Sequence, residues 1–131
     1  MTKSALVLAG GILGATGIAA RAFEAHGIVM LPNISQPRMT DFASGTEMIL
    51  MHSLAMLALA GIADYVPRVA RTSGILFTLG VVLFAGPLLH YGLTGVRSVM
   101  TLTPLGGVSL ILGWILIAVG GALRLLRKPA L

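Results

Sequence analysis

The sequence predicts an all-α polytopic membrane protein in which four transmembrane helices form a compact bundle. Two observations carry this. Hydrophobic residues make up 56% of the 131 residues and charged residues only 10%, whereas a soluble domain needs about a quarter of its residues charged to keep a wetted surface. The apolar residues also gather into four runs, each close to the ~20 residues a helix needs to cross the hydrocarbon core. The length fits a single domain spanning residues 1–131, and the mean hydropathy is +0.98.

The first span is expected over residues 4–20, "SALVLAGGILGATGIAA". A cleaved signal peptide is its rival, since Lys3, an apolar run and Ala20-Arg21-Ala22 imitate one. With Met1 still present, the segment is expected to remain as a span. Residues 21–43 then read as one long outer loop, where Pro32 and Pro37 break any long helix. Its apolar "GIVMLP" is expected to lie along the interface and cap the bundle, or to dock a partner. The second span is expected over 44–63, opened by Ser44-x-x-Glu47 as a capping box. The third covers 74–93, with Pro87 expected to kink it and free a carbonyl. The fourth covers 104–123, with Thr103 as N-cap and Pro104 at the first helical position, where a missing N–H costs nothing.

Four spans put both termini and the 64–73 loop on one side. That side holds Lys3, Arg68, Arg71, Arg124, Arg127 and Lys128, six of the nine basic residues. Arg21, Arg38 and Arg97 lie on the other, with Glu24, Asp41 and Glu47. Cytoplasmic loops carry the excess of Lys and Arg, so both termini are expected in the cytoplasm of a bacterial-type inner membrane. The net charge of +5 therefore reads as a topology signal that also meets anionic lipid, not as a nucleic-acid site. Tyr65 and Tyr91 fall near opposite interfaces. Trp114 falls mid-span, so its indole N–H needs a partner inside the bundle.

Helices in lipid associate where small residues let backbones approach. Gly10, Gly14 and Gly17 form one such stripe on the first helix, with Gly11, Ala15 and Ala19 beside it. Gly106, Ser109, Gly113 and Gly120 form another on the fourth. These stripes serve packing within the bundle or between subunits.

The four-span arrangement gathers polar residues on the outer side: His26, Glu47, His90, and His52 ~7–8 Å deeper than Glu47 along the second helix. Met48, His52 and Met56 share a helix face; Glu47 and Met51 share a neighbouring one. Three readings are open. His52 and Glu47 can be interhelical glue, with Glu47 paired to Arg21 or Arg97 and the methionines filling gaps. His52, Met48 and Met51 can ligate copper or zinc, since imidazole suits both and thioether suits copper. Glu47 and His52 can also mark a proton or solute path. The absence of Cys removes disulfides and thiolate chemistry. No nucleophile elbow, zincin helix or phosphate loop is present, so neither an enzyme nor a cofactor is expected.

Four stretches, "AFEAHG" at 22–27, "GTEMILMH" at 45–52, "GVVLFAG" with "LTG" within 80–95, and "TPLGGVSLILGW" at 103–114, resemble the domain-of-unknown-function 423 family. This is a family of small four-span inner-membrane proteins that includes transmembrane protein 256. The resemblance implies a four-helix inner-membrane protein with no established reaction. The family's Ala-Phe-x-Ala-His-Gly pattern falls on Ala22, Phe23, Ala25, His26 and Gly27, its Glu-x4-His on Glu47 and His52, and its Thr-Pro-x-Gly-Gly on Thr103, Pro104, Gly106 and Gly107. This chain departs from the pattern at Arg21 and Glu24, where small residues are usual, and at Pro87, Leu88, Leu89 and His90. His26, Glu47 and His52 are thus the candidate functional trio, and Gly10, Gly14, Gly106 and Gly113 the candidate packing residues. The expected role is a non-catalytic accessory or scaffolding subunit, or a homo-oligomer, whose partners are the lipid bilayer and other membrane subunits or itself. A minimal transporter or metal-binding protein is the alternative.

Overall fold

The structure is a computed structural model and describes residues 1–126. Arg127 and Lys128, part of the expected basic anchor, lie outside the described residues. Four helices follow one another: α1 (Lys3–His26), α2 (Gln36–Ile62), α3 (Pro67–Thr94) and α4 (Thr103–Leu126), with single 3-10 turns at Ile28–Met30 and Met100–Leu102. All four are long and apolar enough to cross a membrane. α1 packs on α2, α2 on α3, and α3 on α4. The pair α2–α3 is therefore internal, and α1 and α4 flank it. In the most apolar stretches of α1 and α4 only 17% of residues are buried, against 50% in α2 and 44% in α3.

Close approach of backbones replaces the water-driven collapse that lipid cannot supply. On α1, Gly17 meets Leu50 and Ile49, Gly14 meets Ser53, and Gly10 meets Leu57 and the Ser53 carbonyl. On α4, Gly106 lies on the backbone of Leu83 and Phe84, Gly113 on the Phe77 ring, and Gly120 on Val69. Two hydroxyls cross the same seam: Ser73 Oγ donates to the Gly113 carbonyl at 3.0 Å and Ser109 Oγ to the Leu76 carbonyl at 2.8 Å. The core between these seams is Leu6, Ile49, Met56, Leu59, Phe77, Val81 and Leu110.

α4 begins beside the middle of α3, because Gly106 faces Leu83 and Phe84. The last two turns of α3, the end of α1 and the start of α2 run on past that level. They project by ~12 Å, eight residues at 1.5 Å each. At this far end, opposite the termini, Gly45 packs on Ala85 and Leu88, and Gly92 on Phe42 and the Arg38 carbonyl.

The helix ends correct three expectations. Residues 21–43 are not one interfacial loop: 21–26 continue α1, and Gln36 onward belongs to α2. Pro37 sits in the first turn of α2, where it starts a helix without cost. The connection shrinks to the residues between α1 and α2. Ser44 does not open a capping box, since it lies two turns inside α2 and its Oγ bonds back to the Thr40 carbonyl at 2.9 Å. Thr103 is not an N-cap: the preceding 3-10 turn leaves it helical at φ −54°, ψ −44°, and its buried hydroxyl has no partner among the described residues.

Candidate functional site

His52 sits at the centre of the bundle, only 2% exposed. Its Nδ1 lies 2.9 Å from the Met48 carbonyl one turn back. Its Nε2 lies 3.3 Å from the indole N–H of Trp114 on α4. A carbonyl accepts and an indole N–H donates, so both contacts are satisfied by one protonation state alone: neutral imidazole with the proton on Nδ1. Phe77 of α3 closes the cluster, edge-on to His52 at 5.0 Å and 5.1 Å from Trp114. The mid-span indole thus has its partner inside the bundle, and the contact ties α4 to α2 across α3.

Glu47 lies elsewhere. The α1–α2 register that sets Gly17 against Leu50 brings Arg21 beside Thr46 one turn on. Arg21, Thr46, Glu47, Leu50, Met51 and Leu54 line a groove of about 380 Å³ on the outside of that helix pair. Glu47 is exposed in this groove. Neither of its expected partners takes it. Arg21 pairs with Glu24 at 2.7 Å, three residues along its own helix and within reach without crossing the groove. Arg97 donates to the Tyr91 hydroxyl at 2.9 Å and stacks over that ring. Tyr91 is correspondingly buried, unlike Tyr65. The second Glu24 oxygen is buried without a partner among the described residues.

The trio therefore occupies three settings. His26 is exposed in the last residue of α1, Glu47 faces the outer groove, and His52 is internal. No hydrogen bond or ion pair joins them among the described residues, where the ion pairs are Lys3–Asp64 and Arg21–Glu24. The metal reading meets a similar geometry. Met48 borders the core, whereas Met51 is 45% exposed on another face. Each His52 nitrogen is already engaged, so a metal at His52 would have to displace the indole or the carbonyl. Among the described residues no group of three or more His, Cys, Asp or Glu side chains is placed to hold a metal ion.

Arg38 is the residue that reading from sequence missed. It is buried in the far-end projection, with Nε on the Gly92 carbonyl at 3.1 Å, one terminal nitrogen on the Leu93 carbonyl at 2.7 Å and the other on the Asn33 carbonyl at 3.1 Å. The free carbonyls at the C-terminus of α3 carry partial negative charge, so they solvate a guanidinium that has no carboxylate partner among the described residues. α3 then ends on Gly95 in the left-handed conformation at φ 75°, which a side chain adopts only with strain. The available signals were an arginine just after Pro37, which can open a helix, and a Gly-rich helix end, "YGLTG".

Comparison with known proteins agrees with this architecture. The family described as "Protein of unknown function (DUF423)" matches residues 20–107. The UPF0382 inner membrane protein YgdD of Escherichia coli (strain K12) is 35% identical over 129 residues, covering 98% of this chain and 96% of the relative. The UPF0382 membrane protein YwdK of Bacillus subtilis (strain 168) is 30% identical over 115 residues, covering 86% and 92%. No solved structure matches. With four membrane-spanning helices and relatives that align along nearly its whole length, the chain belongs to the DUF423 family of integral membrane proteins.

Proposed function

We propose that this protein is a non-catalytic accessory or scaffolding component of the inner membrane, assembling with other membrane subunits or with itself through its flanking helices, with both termini in the cytoplasm. One observation carries the reading. Of the two small-residue stripes on α1, one is consumed inside the bundle by Gly10 and Gly17. The other is uncovered: a Cβ on Gly11 would meet nothing within 4 Å, and Ala15 and Ala19 are exposed. A bare stripe of this kind is what a neighbouring helix packs against in lipid. The cytoplasmic placement rests on Lys3, Arg68, Arg71 and Arg124 at the termini end.

The chain has no cysteine, so Ala15→Cys supplies a single reporter. Crosslinking in native membranes is expected to capture a second helix at this position, and Gly11→Leu is expected to abolish the crosslink while leaving helical content unchanged. A crosslink that is absent, or indifferent to Gly11→Leu, refutes the reading. Transport is the second reading, favoured by Glu47 standing in its groove without a partner among the described residues. It requires Glu47→Gln to abolish flux in folded protein.

A further inference from the structure

We propose that the termini end of the protein holds one anionic phospholipid, bound by its phosphate headgroup in the cleft between the start of α3 and the end of α4. The cleft has a volume of about 480 Å³ and is lined by Val66, Pro67, Arg68, Val69, Gly120, Leu123 and Arg124. Two arginines stand on walls that are otherwise apolar, and among the described residues no carboxylate lines it. The nearest acid in sequence, Asp64, is paired with Lys3 at 2.5 Å. Both arginines suit a phosphate, which a planar guanidinium grips with two parallel N–H donors.

Arg124 is held in place. One terminal nitrogen donates to the Tyr65 carbonyl at 2.5 Å and the guanidinium stacks on the Tyr65 ring at 4.6 Å, so little of its freedom remains to be lost on binding. Arg68 lies in the first turn of α3, where the helix dipole adds positive potential. It has no hydrogen-bond or ion-pair partner among the described residues. Gly120 shapes the cleft, since it lets α4 sit directly on Val69. Below the arginines, Val69 and Leu123 lead along helices that face the bilayer, the direction an acyl chain takes from its headgroup. A free phosphate would use the arginines and leave that apolar wall bare, so the cleft fits a lipid better than a soluble anion.

The full chain, purified in mild nonionic detergent, can be titrated with phosphatidylglycerol, phosphatidylcholine and inorganic phosphate and read by native mass spectrometry. One phosphatidylglycerol is expected to be retained per chain in preference to phosphatidylcholine, and inorganic phosphate at equal concentration should not displace it. An arginine that grips the headgroup directly contributes about fivefold to such binding. Arg68→Gln should therefore weaken retention about fivefold and Arg68→Gln with Arg124→Gln about 25-fold, whereas Arg71→Gln, outside the cleft, should change it less than about twofold. Emission from Trp114, the single tryptophan, reports that each variant keeps its bundle. If Arg124→Gln alters that emission, Arg68→Gln alone decides. Equal retention of phosphatidylcholine, equal losses from Arg71→Gln and Arg68→Gln, or displacement by inorganic phosphate each overturns the proposal.

Discussion

The contact between Trp114 and His52 allows a quantitative test of how this bundle is held. Trp114→Phe keeps an aromatic ring against Phe77 but removes the only donor to His52 Nε2 among the described residues, leaving a nitrogen unpaired in a side chain that is 2% exposed. In water-soluble cores a stranded acceptor costs about 1–3 kcal/mol. In lipid the cost is smaller, because the separated helices also find partners: couplings average about 0.6 and reach about 1.7 kcal/mol. The 3.3 Å separation is long, and Trp114 is 45% exposed at the edge of the bundle. Both features place the bond in the lower part of that range. The assay is a double-mutant cycle with His52→Leu, which preserves bulk and removes both nitrogens. Unfolding in a denaturing detergent is followed by circular dichroism, since Trp114→Phe removes the fluorophore. A coupling of about 0.5–1 kcal/mol is expected. Additivity within about 0.3 kcal/mol, the usual behaviour of independent sites, would show that the bond is not made and undo the argument for His52 as a tie between helices.

Other consequences can be checked separately. Nitrogen-15 NMR of His52 should show a protonated Nδ1 and a bare Nε2; the opposite tautomer would contradict the hydrogen-bond assignment. Gly106→Ala should destabilise the bundle by at least about 1–3 kcal/mol, because its Cβ would lie 2.7 Å from the Leu83 carbonyl carbon. Gly107→Ala, whose Cβ would meet only the Phe84 ring at 3.6 Å, should be neutral or gain up to about 1 kcal/mol of helix propensity; the same detergent unfolding separates the two. Arg38→Lys should cost about 1–3 kcal/mol, since an ammonium cannot span the Gly92, Leu93 and Asn33 carbonyls together. Hydrogen exchange at Leu93 to Gly95 should rise in that variant, and unchanged protection would count against the clamp.

The sequence alone determined the all-α class, the number of spans and the sharing of one end by both termini. Long apolar runs have no other solution in lipid, where every backbone group must be satisfied within its own helix. It also determined that Trp114 needed an internal partner, because a donor at that depth cannot be left unpaired. Helix ends were less legible. Pro32 and Pro37 look alike as breakers, yet Pro37 begins α2 at a position where its missing N–H costs nothing, and Ser44 imitates a cap two turns inside a helix. The candidate site depended most on tertiary structure. His52 and Glu47 are five residues apart on one helix, so a rotation of about 140° separates them. Only the packing of α2 between α1 and α3 decided that one faces the Trp114 indole and the other an outer groove. Arg38 became important through carbonyls 54 and 55 residues away, a distance that no local pattern spans. The uncovered stripe of α1 likewise exists only because α2 took its neighbour: which of two similar faces is buried is a property of the bundle, fixed by register and not by composition.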